Sequence, residues 1–349
     1  MPSSPASNQQ VVLASTYYQD KALIRDSFRN SSFGSAVFVL FITSILVFGG
    51  LYLVGDPIEI LVHPEADQIE RDRARVALGL DKPLVEQYLT FLKGAVTGNL
   101  GKSFVYARPA LDVIFERMPA TMELAVLAML ISIVLGIPLG LYAGLRPNSF
   151  LSRSIMTGSI VCFSLPTFWV GLLLILLFAV TLGWLPSTGR GPTEDIFGLQ
   201  LSIFSLEGLK YALLPALNLA LLKLALIIRL TRAQTREQSL LDYIKFARAK
   251  GLKTSRVIGV HLLKNILIPL VTVIGLELGS VIAYAIVTET IFAWPGMGKL
   301  VIDSIFQLDR PIVVAYLLVV VCMYIIINLV VDILYSLLDP RVRISEQHG

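Results

Sequence analysis

Six stretches of this chain are each close to twenty residues long or longer, predominantly apolar and poor in charge: 33–54, 121–145, 155–182, 211–230, 266–291 and 312–338. A helix needs about 20 mainly apolar residues to cross a bilayer. A buried helix of a soluble protein can mimic one such stretch, but six in one chain cannot all be hidden that way. The composition agrees: 55% of residues are hydrophobic and 15% are charged, against about a quarter charged in an ordinary soluble domain. The predicted fold class is therefore an all-α polytopic membrane protein with six transmembrane helices.

Charge sets the direction of the spans. The link between the second and third carries Arg146 and Arg153 and no acid, and the link between the fourth and fifth is rich in bases. Bases concentrate in short loops on the cytoplasmic side. Both links then face inward, and both termini, the polar tail 1–32 and the tail 339–349 with Arg341 and Arg343, lie inside. The region 55–120 falls outside; loops of that length cross largely regardless of charge. The first thirty residues lack the charged, apolar and small-residue regions of a removable signal peptide. Cys162 and Cys322 lie in apolar runs and are expected to be small buried hydrophobes.

The link between the fourth and fifth spans includes DYIKFARAKGLKTSRVIGVHLLKNILIPL, starting at Asp242. It sets Lys245, Arg248, Lys250, Lys253, Arg256 and Lys264 against the single acid Asp242. Topology explains the charge but not the pattern. Leu240, Tyr243, Ile244 and Ala247 recur at the spacing of an amphipathic helix. Gly251 stands where a C-terminal glycine cap would end it, and a second amphipathic segment, 254–264, leads on to Pro269. A short helix lying along the cytoplasmic face is either a handle for another protein or a surface helix that touches only lipid headgroups. The pattern leaves both open.

The run resembles the cytoplasmic coupling segment of ABC-transporter permeases, in the B-type subunits of dipeptide and oligopeptide importers that depend on a binding protein. The residues that carry the likeness are Asp242, Tyr243, Ala247, Ala249, Lys250, Gly251, Leu252, His261, Asn265 and Pro269. The wider superfamily favours Glu-Ala-Ala ahead of the glycine, where this chain has Lys245, Phe246 and Ala247. Further likeness lies, in order, in LGLDKPLVEQYLTFLKGAVTGNLGKSF, ERMPATMEL, GIPLGLYAGL, SLPTFWVGLLLILLF, GWLPSTGRG, ETIFAWPGMGKLVIDSI and NLVVDILYSLLDPRVR.

The resemblance implies a permease core over 121–338 with a coupling segment at 239–264. Asp242, Tyr243, Phe246, Ala247, Arg248, Ala249, Lys250 and Gly251 would engage an ATPase. Glu289, Phe292, Trp294, Pro295 and Gly296 would form an outer gate; taken alone, Trp294 reads as an interfacial anchor. The implied partners are a second homologous permease, two ATP-binding cassette subunits and an extracytoplasmic binding protein, in the inner membrane of a prokaryote and with no nucleic acid. No cofactor is expected in this chain, since ATP and Mg belong to the partner ATPases. Relatives import dipeptides, longer peptides, glutathione, nickel chelates or oligosaccharides.

The residues agree that energy comes from elsewhere. Gly98-Asn99-Leu100-Gly101-Lys102-Ser103 ends like a phosphate loop, but Val96 stands where the first glycine is required and no buried strand precedes it. His63, His261 and His348 are too dispersed for a spaced metal cluster, and no nucleophile is paired with a base. The rival readings are a secondary transporter or channel, which would show repeated broken helices or several mid-membrane carboxylates, and a membrane-embedded enzyme, which would need a reactive cluster.

Lys223 fits least. A lysine near mid-bilayer costs about 2.5–3.5 kcal/mol on insertion scales and should have a partner or face water. It lies about 14 Å along the helix from Arg232, too far to snorkel comfortably. Glu277 lies about 16 Å above the inner end of the fifth span, at a similar depth with opposite sign. Asn328 in the sixth span falls at a comparable height. The three are predicted to line the translocation path, with Lys223 either paired to Glu277 or meeting an anionic group of the cargo.

Overall fold

The structure, a computed structural model, describes residues 38–50, 58, 67–77 and 79–338. The tails 1–32 and 339–349, both ends of the first apolar run and His63 lie outside the described residues. Helix α1 (Phe38–Gly50) is the described part of the first run. The region 55–120, read as a loop, holds α2 (Gln68–Ala77) and α3 (Leu84–Thr97). Tyr88 and Phe91 of α3 place their rings 5.3 and 5.8 Å from that of Phe48 on α1. Gly98, at φ +73°, takes the left-handed turn that caps α3. The phosphate-loop lookalike is therefore a helix cap and the turn after it.

Helix α4 (Ala110–Leu145) begins well before residue 121. The third apolar run is not one straight span. It is α5 (Phe150–Ser164) and α6 (Thr167–Leu174), the latter widening into a π-turn over Ile175–Thr181, with a bend of 108° between them. The cause is Pro166, which offers no N–H and pushes Leu165 into an extended conformation (φ −83°, ψ 136°). A short antiparallel hairpin follows, β1 (Glu194–Ile196) with β2 (Leu199–Leu201). Then come α7 (Leu206–Ser239), α8 (Asp242–Ala249), α9 (Thr254–Ile291), α10 (Met297–Phe306) and α11 (Arg310–Leu338). The segment 254–264 is not a separate helix, because α9 runs through it. In the described residues four helices, α4, α7, α9 and α11, are long and apolar enough to cross a membrane, and the bent pair makes up to five spans.

Contacts fix the relative directions. Ser132 of α4 donates to the Ala220 carbonyl of α7 (3.0 Å). A Cβ added at Gly136 would meet Ile227 at 2.8 Å, at Gly140 the Ile228 carbonyl and Thr231 at 2.6 Å, and at Gly144 Thr235 at 2.5 Å. Residue numbers rise together on both helices, so α4 and α7 run parallel. The chain between them must therefore return to the opposite face of the bundle, which makes the bent pair a crossing. The same logic sets α9 antiparallel to α7 (Asn218 with Thr288, Lys223 with Glu277) and to α11 (Gly279 beside Tyr324, Gly275 beside Val331).

The α4–α7 seam is built from residues four apart, Gly136, Gly140 and Gly144, which lie on one helix face. In a bilayer no water drives helices together, so close backbone approach at small residues supplies the packing. Large apolar side chains such as Val134, Phe163, Leu172 and Ile326 point away from the bundle, as expected where the surroundings are lipid. Cys322 is exposed and Cys162 half-buried, which corrects the expectation that both are buried: their helices pack on one side only.

Candidate functional site

At the end of the bundle that carries Arg146 and Arg232, α8 lies across the termini of its neighbours. Ile244 and Ala247 are buried against Val257, Leu262 and Ile266 of α9, with Leu141 and Leu145 of α4 and Leu230 of α7 alongside. The helix ends in a Schellman turn: Gly251 (φ +75°) donates to the Arg248 carbonyl (2.9 Å) and Leu252 to that of Ala247 (3.4 Å). Tyr243 donates to Gln238 at 2.8 Å, holding the junction with α7.

The predicted face needs one correction. Leu240 is exposed because it caps α7 and precedes the first turn of α8, so the helical register does not reach it. The outer face of α8 carries Asp242, Lys245, Phe246, Arg248, Ala249 and Lys250. Phe246 is 61% exposed, with the Lys250 ammonium 4.5 Å from its ring centroid. Lys245 lies 2.9 Å from Asp242 and holds that carboxyl below the usual carboxylate range. Ala247, by contrast, faces the bundle.

At the opposite end the chain leaves α9 and folds back. Glu289 is buried and accepts from the Thr121 hydroxyl (2.6 Å) and from the Lys299 amide in the first turn of α10 (3.0 Å), where a helix N-terminus favours a carboxylate. Its carboxyl occupies the space beside Gly296, where a Cβ would lie 2.3 Å from Oε1. Ala293, at φ +46°, and Pro295 make the turn. Trp294 is 0% exposed and donates from Nε1 to the Ala120 carbonyl at 2.9 Å. It is a core residue rather than an interfacial anchor, because it belongs to the buried cluster that includes Ala120, Leu124 and Val281, and the Arg190 guanidinium lies 5.6 Å from its ring centroid.

Arg190 also donates to Glu123 (2.7 Å) and to the Gln200 carbonyl of the hairpin (2.5 Å). Glu123 in turn accepts from the Ser202 amide and hydroxyl and from the Ile203 amide, at 2.5–2.7 Å. Glu123, Arg190 and Thr121 lay within the sequence runs ERMPATMEL and GWLPSTGRG. Reading those runs as likeness alone concealed an ion pair between them. Glu123→Ala is expected to cost about 3–5 kcal/mol by taking the carboxylate from a mostly buried guanidinium and leaving two amides unpaired, read as a lower unfolding temperature and faster proteolysis at the hairpin.

Phe292, one of the residues expected to form an outer gate, is buried, its ring against Gly171 of α6 and its carbonyl accepting from Gly189 at 2.8 Å. A cysteine there is expected to react slowly with a membrane-impermeant maleimide in this conformation, and at a rate that changes with nucleotide. One rate in every nucleotide state would make the turn a fixed plug.

Between the two ends, Lys223 of α7 donates to Glu277 Oε2 of α9 (2.5 Å) and to Ser280 (2.6 Å), and Ser280 donates to the same carboxyl oxygen (2.8 Å). Of the two alternatives for Lys223, this arrangement is the ion pair with Glu277. Asn328 makes no hydrogen bond to this cluster: its Oδ1 is buried and lacks a partner among the described residues.

A bundle of membrane-crossing helices, closed at one end by a buried turn and carrying a capped amphipathic helix across the other, defines a multi-pass membrane protein. The model of the family "Binding-protein-dependent transport system inner membrane component" matches residues 136–344, and that of its N-terminal region matches 27–125. The chain belongs to this family and is a membrane permease subunit of a binding-protein-dependent ABC importer. It is 40% identical over 331 residues to a di/tripeptide transport system permease of Pseudomonas aeruginosa (strain UCBPP-PA14), covering 91% of this chain and 98% of that protein. It is 37% identical over 317 residues to a dipeptide transport system permease of Escherichia coli K12 (86% and 94% covered). A glutathione transport system permease of E. coli O6:H1 is 37% identical over 305 residues (87% and 94%).

Proposed function

We propose that this chain is one of two homologous permeases in an ATP-driven importer of short peptides. Six spans would leave both termini and α8 on the cytoplasmic side, and the Phe292–Gly296 turn outside, in the inner membrane of a prokaryote. A binding protein delivers cargo to the outer end. Two ATP-binding cassette subunits hold ATP and Mg and close on nucleotide. The relatives named for di/tripeptide and dipeptide transport support peptides as cargo, with glutathione the second choice.

The observation that carries coupling is the two-sidedness of α8. Its inner face is sealed onto the ends of α4, α7 and α9, while Phe246 and the surrounding bases face away from the bundle. A force applied to Phe246 therefore moves three spans together. Helix α9 runs from that contact for 38 residues to the outer turn, about 57 Å at 1.5 Å per residue. The π-turn at Val257–Leu262 and Pro269 are its compliant points. Nucleotide and delivered cargo bias one bistable bundle from opposite ends.

A cysteine at Phe246, treated with a short cross-linker in the assembled transporter, is expected to trap an ATP-binding subunit with a yield that changes on adding ATP. Coupling only to lipid-borne probes would reduce α8 to a headgroup-binding helix.

A further inference from the structure

The Lys223–Glu277 pair is closed on one side and open on the other. The lysine side chain is 9% exposed and the glutamate side chain 24%. Both protein donors in the cluster, Lys223 Nζ and Ser280 Oγ, reach the same carboxyl oxygen, Oε2. Among the described residues no donor reaches Oε1. Tyr284, seven residues further along α9 and on the same face, is 59% exposed, and its ring centroid lies 5.2 Å from the Lys223 ammonium. A carboxyl oxygen with free lone pairs, an exposed aromatic side chain and an ammonium thus lie together at the α7–α9 seam. In a membrane protein a partly exposed ionisable pair faces the bundle interior or a water-filled cavity rather than lipid.

We propose that this cluster is a cargo-binding site in the transport path that recognises a zwitterion, a solute with one free ammonium and one free carboxylate. The cargo ammonium takes Glu277 Oε1 and the face of Tyr284, as carboxylates and aromatic faces both attract ammonium groups. The cargo carboxylate takes the Lys223 ammonium as Glu277 turns to its new partner. The exchange keeps every charge paired. Empty, the site holds one internal ion pair; occupied, it holds two external ones, and in neither state is a charge left alone where it would be costly. A solute with only one of the two charges sets two like charges on a single partner and leaves the cluster with one charge uncompensated. The site therefore selects zwitterions after the binding protein has released them. This inference rests on the permease reading.

A pair that merely clips α7 to α9 gives a different result. Buried ion pairs replaced by well-packed apolar residues are often neutral or stabilising, so the double variant K223M/E277L keeps the clip and removes the charges. The complete transporter is reconstituted with its binding protein and ATP, and uptake of radiolabelled alanyl-alanine is compared with that of alanyl-alaninamide, which lacks the carboxylate. Each variant's preference is divided by the wild-type preference, which cancels selection by the binding protein. K223M/E277L is expected to lower alanyl-alanine uptake roughly ten- to a hundred-fold and to flatten the preference. Y284L, at an exposed position outside the packed core, is expected to lower alanyl-alanine uptake several-fold and keeps the test decisive where the double variant assembles poorly. Unchanged preference in K223M/E277L, or wild-type uptake by Y284L, overturns the proposal while the permease reading stands. Wild-type vesicles that take up neither probe with ATP overturn the short-peptide reading and this inference with it.

Discussion

Gly140→Leu is expected to abolish accumulation of folded protein in the membrane. Even the first added carbon would lie 2.6 Å from the Ile228 carbonyl and from Thr231 Cβ. One obstacle is backbone and the other is the branched carbon of a buried side chain, so neither can swing aside. Relief requires α4 and α7 to separate. That also breaks the approaches at Gly136 and Gly144 and the bond from Ser132 to Ala220. Overpacking a core costs about 1–3 kcal/mol where neighbours can adjust, and more where they cannot. Here the whole seam is forfeited, so the loss is expected to exceed that range. Gly140→Ala is the graded version, with reduced yield and a lower unfolding temperature. Gly158, with nothing within 4 Å of an added Cβ, is the control: Gly158→Ala is expected to behave as wild type. Detergent-extracted yield and fluorescence-detected size exclusion report all three.

Phe246→Asp is expected to lower ATP-driven uptake about a hundred-fold while leaving insertion and yield intact. The side chain is mostly exposed and belongs to none of the buried clusters, so its removal does not disturb the bundle. On the proposed reading it is the aromatic anchor of the ATPase contact, and buried aromatic anchors at interfaces are each worth 2 kcal/mol or more, roughly 30-fold in affinity. A carboxylate adds a desolvation cost on top. Ala247→Glu gives the contrasting result. Ala247 is buried against the bundle, so a charge there is expected to detach α8 from its own chain, with lower thermal stability as well as lost uptake. The two variants separate contact with a partner from support beneath it.

The four long apolar helices and the bent pair were legible because hydropathy reports them directly. Helix α8 was legible because Ile244, Ala247 and Gly251 obey helix spacing and cap chemistry within a dozen residues. Lys223 and Glu277 were legible as a pair because charge is rare at that depth. What sequence hid depends on long-range approach. Glu123 and Arg190 are 67 positions apart, and nothing local marks either as a partner. Pro166 looked like one more residue in an apolar run, because hydropathy does not register a missing N–H. Leu240 fitted the periodicity of α8 yet belongs to the cap of α7, since spacing alone cannot say where one helix stops. Trp294 looked like an anchor at a helix end until Ala120 and Arg190 were seen to enclose it.

The central claim is that this chain forms a path and its partners supply the energy. The direct measurement is uptake of radiolabelled alanyl-alanine into proteoliposomes holding the complete transporter and binding protein. ATP is supplied on the α8 side in one set, and proton or sodium gradients without ATP in the other. The account predicts uptake with ATP, its loss in Phe246→Asp, and none driven by either gradient alone. Uptake driven by a gradient in the absence of ATP would contradict it.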